Sequence, residues 1–173
     1  MVLDLRGNPG GVADEAIHVA SEFLASGVVV QGRDRFGVVR AAMVEPRWGD
    51  KTTPLVVLVD ADSASAAEIV ASALQDAGRA ILVGETTFGT GTTVVDFNLD
   101  DGSVLSIGIY EWLTRNGRSV WHSGVRPDIT VAMRDGTTPI TPSELAALAP
   151  GELGSSRDAQ LIAAMTLLDS VSQ

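Results

Sequence analysis

The spacing of apolar residues changes along the chain, and each change marks a predicted strand or helix. Residues 2–5 are a short apolar run that enters the turn formers Gly7, Asn8, Pro9, Gly10 and Gly11, as a buried strand does when it ends in a tight bend. Over 12–24 the spacing becomes helical: Val12, Ala16, Ala20, Phe23 and Leu24 share one face, and Asp14, Glu15, His18, Ser21 and Glu22 the other. Two strands, 28–30 and 37–44, follow around a polar turn, and 48–53 is a loop ending at Pro54. Residues 55–59 are a continuous branched apolar run, the pattern of a strand covered on both faces.

A helix is predicted over 63–74, with Ile69, Val70, Ala73 and Leu74 as its core stripe, and 81–83 is a further buried strand. Strand, helix and strand in that order predict an α/β layered fold. The alternating segment 92–110 carries the turn Asp100-Asp101-Gly102 and predicts a β-hairpin, and 119–131 adds extended chain broken by Pro127. Past Arg134 the composition shifts to Gly, Thr, Pro and Ser, and a last helix over 158–171 offers Leu161, Ala164, Met165 and Leu168 to the body. The predicted organisation is a core over 1–134, a linker or surface loop over 135–157, and a C-terminal helix over 158–173 packing on the core.

A length of 173 residues with 45% hydrophobic content suits one buried core. The net charge of -10 opposes binding to nucleic acid or to an anionic membrane surface. No cysteine is present, so disulfides, thiolate metal sites and cysteine nucleophiles are excluded together. No cofactor or metal site is expected. Neither a signal-peptide pattern nor an apolar run long enough to span a bilayer occurs, and a chain that opens inside a strand is expected to lack something upstream.

Candidate chemistry begins at Asp62-Ser63-Ala64-Ser65-Ala66-Ala67-Glu68-Ile69, which puts two serines at the first turn of a helix after a buried strand. Unsatisfied N–H groups and the helix dipole at such a place favour a nucleophile and an oxyanion. Ser65-Ala66-Ala67-Glu68 is equally the pattern of a capping box. Likewise Gly7 to Gly11 reads either as an oxyanion-binding bend or as a plain strand-to-helix turn.

Five separated strings carry a family resemblance: LDLRGNPGG (3–11), LVVLVDADSASAAEI (55–69), GRAILVGETTFGTGT (78–92), DGSVLSIG (101–108) and GVRPDITV (124–131). In this order they resemble the motif series of carboxyl-terminal processing (tail-specific) serine peptidases, and Asp158-Ala159-Gln160-Leu161 is similar to that family's closing helix. The resemblance implies a ClpP/crotonase-like core of strand-strand-helix units with a small β-hairpin region. It implies Ser65 as nucleophile, Ser63 as structural, and an oxyanion hole from the amides of Ala66 and of Gly10 or Gly11. It further implies a protein or peptide substrate, an upstream PDZ domain, and a place outside the cytoplasm. A sheet edge left open by missing upstream chain invites a homo-oligomer.

The match departs from the family at the base. Thr90 stands in Phe88-Gly89-Thr90-Gly91 where the family has lysine, and Val94 where it has glutamine. A threonine hydroxyl is not a general base near neutral pH. Lys51, the only lysine, is expected to snorkel into solvent from its loop. His122 is the alternative base, and His18 a weaker one. Three functions follow: a serine endopeptidase acting through an acyl-enzyme at Ser65, a pseudopeptidase that binds peptide without cleaving it, and a crotonase-type acyl-CoA enzyme, against which the serine-rich helix start argues.

Overall fold

The computed structural model describes residues 1–46, 48–134, 136–148, 152–155 and 157–171. Its elements are β1 (Val2–Asp4), α1 (Ala13–Phe23), β2 (Val28–Arg33), β3 (Val39–Met43), β4 (Val56–Val59), α2 (Ala66–Asp76), β5 (Ile81–Gly84), β6 (Thr92–Asn98), β7 (Val104–Leu113), β8 (Ile129–Thr130), α3 (Pro142–Ala147) and α4 (Ala159–Val171). A parallel sheet runs β1-β4-β5-β8, and an antiparallel one runs β3-β2-β7-β6.

The branched run in β4 is explained by burial on both sides. Val57 and Val59 face a core with Ile69 and Val70 of α2, Ala16 and Ala20 of α1, and Trp112 of β7. Val56 and Leu58 face a second core with Val83, Leu161 and Ala164. Period-two alternation sends successive β4 side chains to opposite cores, so every position must be apolar.

Arg6, just past β1, joins the C-terminal helix to this sheet. Its guanidinium donates to Asp158 at 2.8 and 3.0 Å, to Asp4 at 2.7 Å and to Gln160 at 3.1 Å. Both Arg6 and Asp158 side chains are 1% exposed. Asp158 also accepts from the amides of Leu161 at 2.9 Å and Ile140 at 3.0 Å, so it starts α4 and ties down the segment before α3. Burial pushes its carboxyl up, but Arg6 and these amides outweigh that and hold it below the usual carboxylate range.

Several sequence expectations are corrected. Val12, expected on the buried face of the first helix, is 65% exposed because it precedes the helix in extended backbone. Ser21, assigned to the polar face, is fully buried and its hydroxyl accepts from the Glu45 amide at 3.0 Å. Lys51 does not snorkel: its ammonium donates to the carbonyls of Ser21 and Glu22, both at 2.7 Å, at the negative end of α1. The 119–131 segment is mostly irregular: Ser119 makes an isolated bridge to Leu113 of β7, residues 121–123 form a turn, and Ile129–Thr130 alone make a strand, because Gly124 and Pro127 interrupt the chain. Residues 135–157 include α3, whose Thr141 caps it reciprocally with Glu144.

Candidate active site

The site is built where β1 and β4 end side by side. These strands pair in parallel, Asp4 opposite Leu58, so the glycine bend after β1 and the serine turn after β4 leave the sheet together. Asp60 ties them: its carboxylate accepts from Gly7 N–H at 3.0 Å, from Asp62 N–H at 3.1 Å and from Ser63 N–H at 3.0 Å. Ser63 is fully buried and donates its hydroxyl to the Leu5 carbonyl at 2.8 Å. The Asn8 carbonyl accepts from Ala64 N–H at 2.9 Å.

Ser65 is half-buried and has φ 52° and ψ −116°, a conformation that a residue with a side chain rarely adopts. Such a backbone costs about 1–3 kcal/mol and persists only where its surroundings enforce it. Enforcement comes from Glu68. This fully buried carboxylate accepts from Ser65 N–H at 2.9 Å, from Gly89 N–H at 2.7 Å, from Thr90 N–H at 3.0 Å and from the Thr87 hydroxyl at 2.5 Å. Thr87 in turn accepts from Val125 N–H at 2.7 Å. Those donors and the positive end of α2 compensate the buried charge.

The capping box is therefore half of a larger arrangement. Ser65 and Glu68 are paired as one, and the carboxylate half is closed on the Ser65 amide. The Glu68 amide instead donates to the Ser65 carbonyl at 2.9 Å, and the Ser65 hydroxyl makes no cap hydrogen bond.

Gly10 lies against the turn so closely that a Cβ there would stand 2.6 Å from Ser65 Cβ and 2.9 Å from Ala66 N. Only glycine permits this approach. Its amide is committed, donating to Asn8 Oδ1 at 2.9 Å. Among the described residues, the amides of Gly11 and Ala66 have no intramolecular acceptor. A pocket of about 180 Å³, lined by Leu5, Gly11, Val12, Ala66, Ala67 and Val70 among others, opens beside them.

Thr90 stands next to Ser65 through their shared carboxylate, whereas exposed Val94 pairs with Gly108 of β7 just past a β-bulge. His122 is exposed at φ 58°, donates its amide to the Gly89 carbonyl at 3.0 Å, and stacks on Trp121 at 4.6 Å. Its ring has no hydrogen bond to the Ser65 hydroxyl. His18 sits outside, within 3.5 Å of Glu15 and 3.3 Å of Glu45. Among the described residues no group of three or more His, Asp or Glu is placed to hold a metal ion. The sequence pattern gives Glu68 as a cap and carries no local signal for the parts played by Thr87 and Asp60. The glutamate three residues after Ser65 was visible, but not that a segment some twenty residues on would close over it.

The sequence profile of peptidase family S41 matches residues 1–131, and the chain belongs to this family. The carboxy-terminal processing protease CtpA of Bacillus subtilis is 37% identical over 134 residues, covering 78% of this chain and 29% of that protein. The carboxy-terminal-processing protease of Bartonella bacilliformis is 41% identical, covering 75% and 30%. The chain thus spans about three-tenths of the length of these curated relatives. Among solved structures, the photosystem II D1 C-terminal processing protease superposes with a TM-score of 0.71 at 35% identity, over 76% of this chain and 34% of that one. Tricorn protease, at 19% identity and a TM-score of 0.66, shares the fold over 99% of this chain and 15% of its own. The α/β, ClpP/crotonase-like architecture is that of S41 peptidase domains.

Proposed function

We propose that this chain is the catalytic core of a carboxyl-terminal processing serine endopeptidase in which Ser65 is the nucleophile. The observation that carries it is the strained Ser65 backbone, held by buried Glu68 beside the unengaged amides of Gly11 and Ala66. Ser65 Oγ gives up its proton and attacks a peptide carbonyl, and the oxyanion settles on those two amides. The C–N bond breaks as that proton passes to the leaving amine, and water then cleaves the acyl-enzyme, releasing the carboxylic acid and restoring the Ser65 hydroxyl. With Gly10 N–H spent on Asn8, Gly11 is the better second donor. The pocket at the glycine bend suits a small apolar side chain of the substrate.

Thr90 at the position of the family's base supports a second reading, a pseudopeptidase that binds peptide and cleaves it slowly or not at all. His122 is the remaining candidate proton acceptor, and its tie to Gly89 keeps it on the loop that carries Thr90. A fluorophosphonate probe separates the two readings. Labelling that disappears in Ser65→Ala requires an activated hydroxyl, and absence of labelling in the wild-type chain leaves the binding module.

Two partner expectations rest on the same family reading: an upstream PDZ domain that tethers substrate, and self-association through a sheet edge. β1 and β6 are both edge strands, and β6 carries neither lysine nor proline to discourage pairing. Light scattering tests the latter, and a monomeric mass across the accessible concentration range contradicts it.

A further inference from the structure

A second cleft, of about 410 Å³, lies on the other flank of α2 from the pocket at the glycine bend; Asp14, Arg40, Ile69, Thr93, Tyr110 and Trp112 are among its lining residues. Each segment that meets at Ser65 continues into its wall. Asp14 opens α1 just past Gly11, Ile69 lies one helical turn beyond Ser65, and Thr93 follows closely on Thr90. The cleft is therefore continuous in construction with the site.

Its floor is apolar and its rim is charged. Trp112 and Ile69 are buried, whereas Arg40 on β3 is exposed. The Arg40 guanidinium donates only to the Tyr110 hydroxyl, at 3.4 Å, and among the described residues it has no carboxylate partner. Arg6, Arg33 and Arg118 are each paired with an acid, and Arg79 and Arg115 donate to backbone carbonyls, whereas among the described residues the Arg40 charge stands at the cleft without a neutralising partner. Gln31, also in the lining, spends its amide on the carbonyls of Thr114 and Arg115. Asp14 is the one carboxylate in the lining and belongs to the helix wall, so it repels an acid placed there and favours an acid directed to the sheet wall.

We propose that this cleft is a substrate subsite beside the scissile bond, where an apolar side chain of the peptide rests on Trp112 and Ile69 and a carboxylate of the same peptide pairs with Arg40. The inference rests on the peptidase-core reading. The carboxylate is that of an acidic side chain or of the peptide's own terminus, and both present the same two oxygens to a guanidinium.

The test uses the full chain carrying Ser65→Ala, so that binding is read without cleavage. A fluorescein-labelled, alanine-rich hexapeptide with a central leucine is prepared with an acid or amide C-terminus, and with Glu or Gln beside the leucine, and its binding is followed by anisotropy. A carboxylate version should bind about tenfold more tightly than its neutral counterpart, as a charge-assisted hydrogen bond provides. Adding Arg40→Ala should remove that difference, and Arg40→Glu should reverse it. The acid–amide and Glu–Gln pairs tell which carboxylate is held. Equal binding of charged and neutral versions, or a preference that survives Arg40→Ala, overturns the subsite while leaving the peptidase reading intact. Absence of binding by any version also overturns it, and fluorophosphonate labelling of the wild-type chain then tells whether the peptidase reading falls too.

Discussion

The amides of Ser65 and Thr90 donate to one buried oxygen, Glu68 Oε2, at 2.9 and 3.0 Å. The spacing between Ser65 and Thr90 is thus set by main chain and one carboxylate. It does not depend on which side chain occupies position 90.

Removing that carboxylate should unsettle the fold as well as the site. Glu68→Ala strands the buried Gly89 amide and the Thr87 hydroxyl, and a cost of about 3 kcal/mol is expected from such losses. Urea denaturation measures it. Glu68→Gln, with a single acceptor oxygen, should lose less, and an unchanged midpoint for Glu68→Ala would show that Ser65 is held by something else.

Because this spacing does not depend on the side chain at position 90, the proposed peptidase reading can be tested by placing a lysine there. Thr90→Lys should increase fluorophosphonate labelling of Ser65 by about a hundredfold or more, the usual range for a positioned general base. Adding Val94→Gln tests the remaining departure from the family pattern. If Thr90→Lys folds and labels no faster than the parent chain, a lysine amine at this position does not reach the hydroxyl.

The strain at Ser65 predicts a trade between stability and chemistry. Glycine tolerates φ 52° without penalty, so Ser65→Gly should raise stability by about 1 kcal/mol after the entropy that glycine adds to the unfolded chain. The same change abolishes labelling. A thermal midpoint lower than that of the parent chain would mean that the backbone there is relaxed.

Asp158 predicts an acid limb in stability. Its folded pKa is depressed, so its contribution is complete above the unfolded value of about 3.9 and is lost as pH falls through the lower folded value. Asp158→Asn should cost about 3 kcal/mol at neutral pH, since it uncouples a buried pair, and should flatten the decline below about pH 4. Urea midpoints across that range check it, and parallel curves for the two proteins would assign the acid sensitivity elsewhere.

Much of the fold was legible because its elements obey local rules. The double burial of β4 wrote itself as an uninterrupted apolar run, and the hairpin of β6 and β7 as alternation around Asp100-Asp101-Gly102. Ser65 and the glycine bend were found by pattern and resemblance. What stayed hidden depends on distant partners: Lys51 meets carbonyls at the end of α1, and Glu68 meets a loop that folds back from beyond β5. Ser21 looked polar because its type is polar, although its one acceptor bond, from Glu45, allows full burial.

The pairing of β1 with β4 has a consequence for the site's calibration. Three residue pairs, from Val2 with Val56 to Asp4 with Leu58, fix how far the glycine bend reaches along the neighbouring turn. A slip of one residue would displace Gly10 by about 3.3 Å and turn every β1 side chain to the wrong layer. β1 behaves as a vernier at the margin of its sheet, and whatever chain docks along its open side acquires control over the alignment of the amides with the hydroxyl.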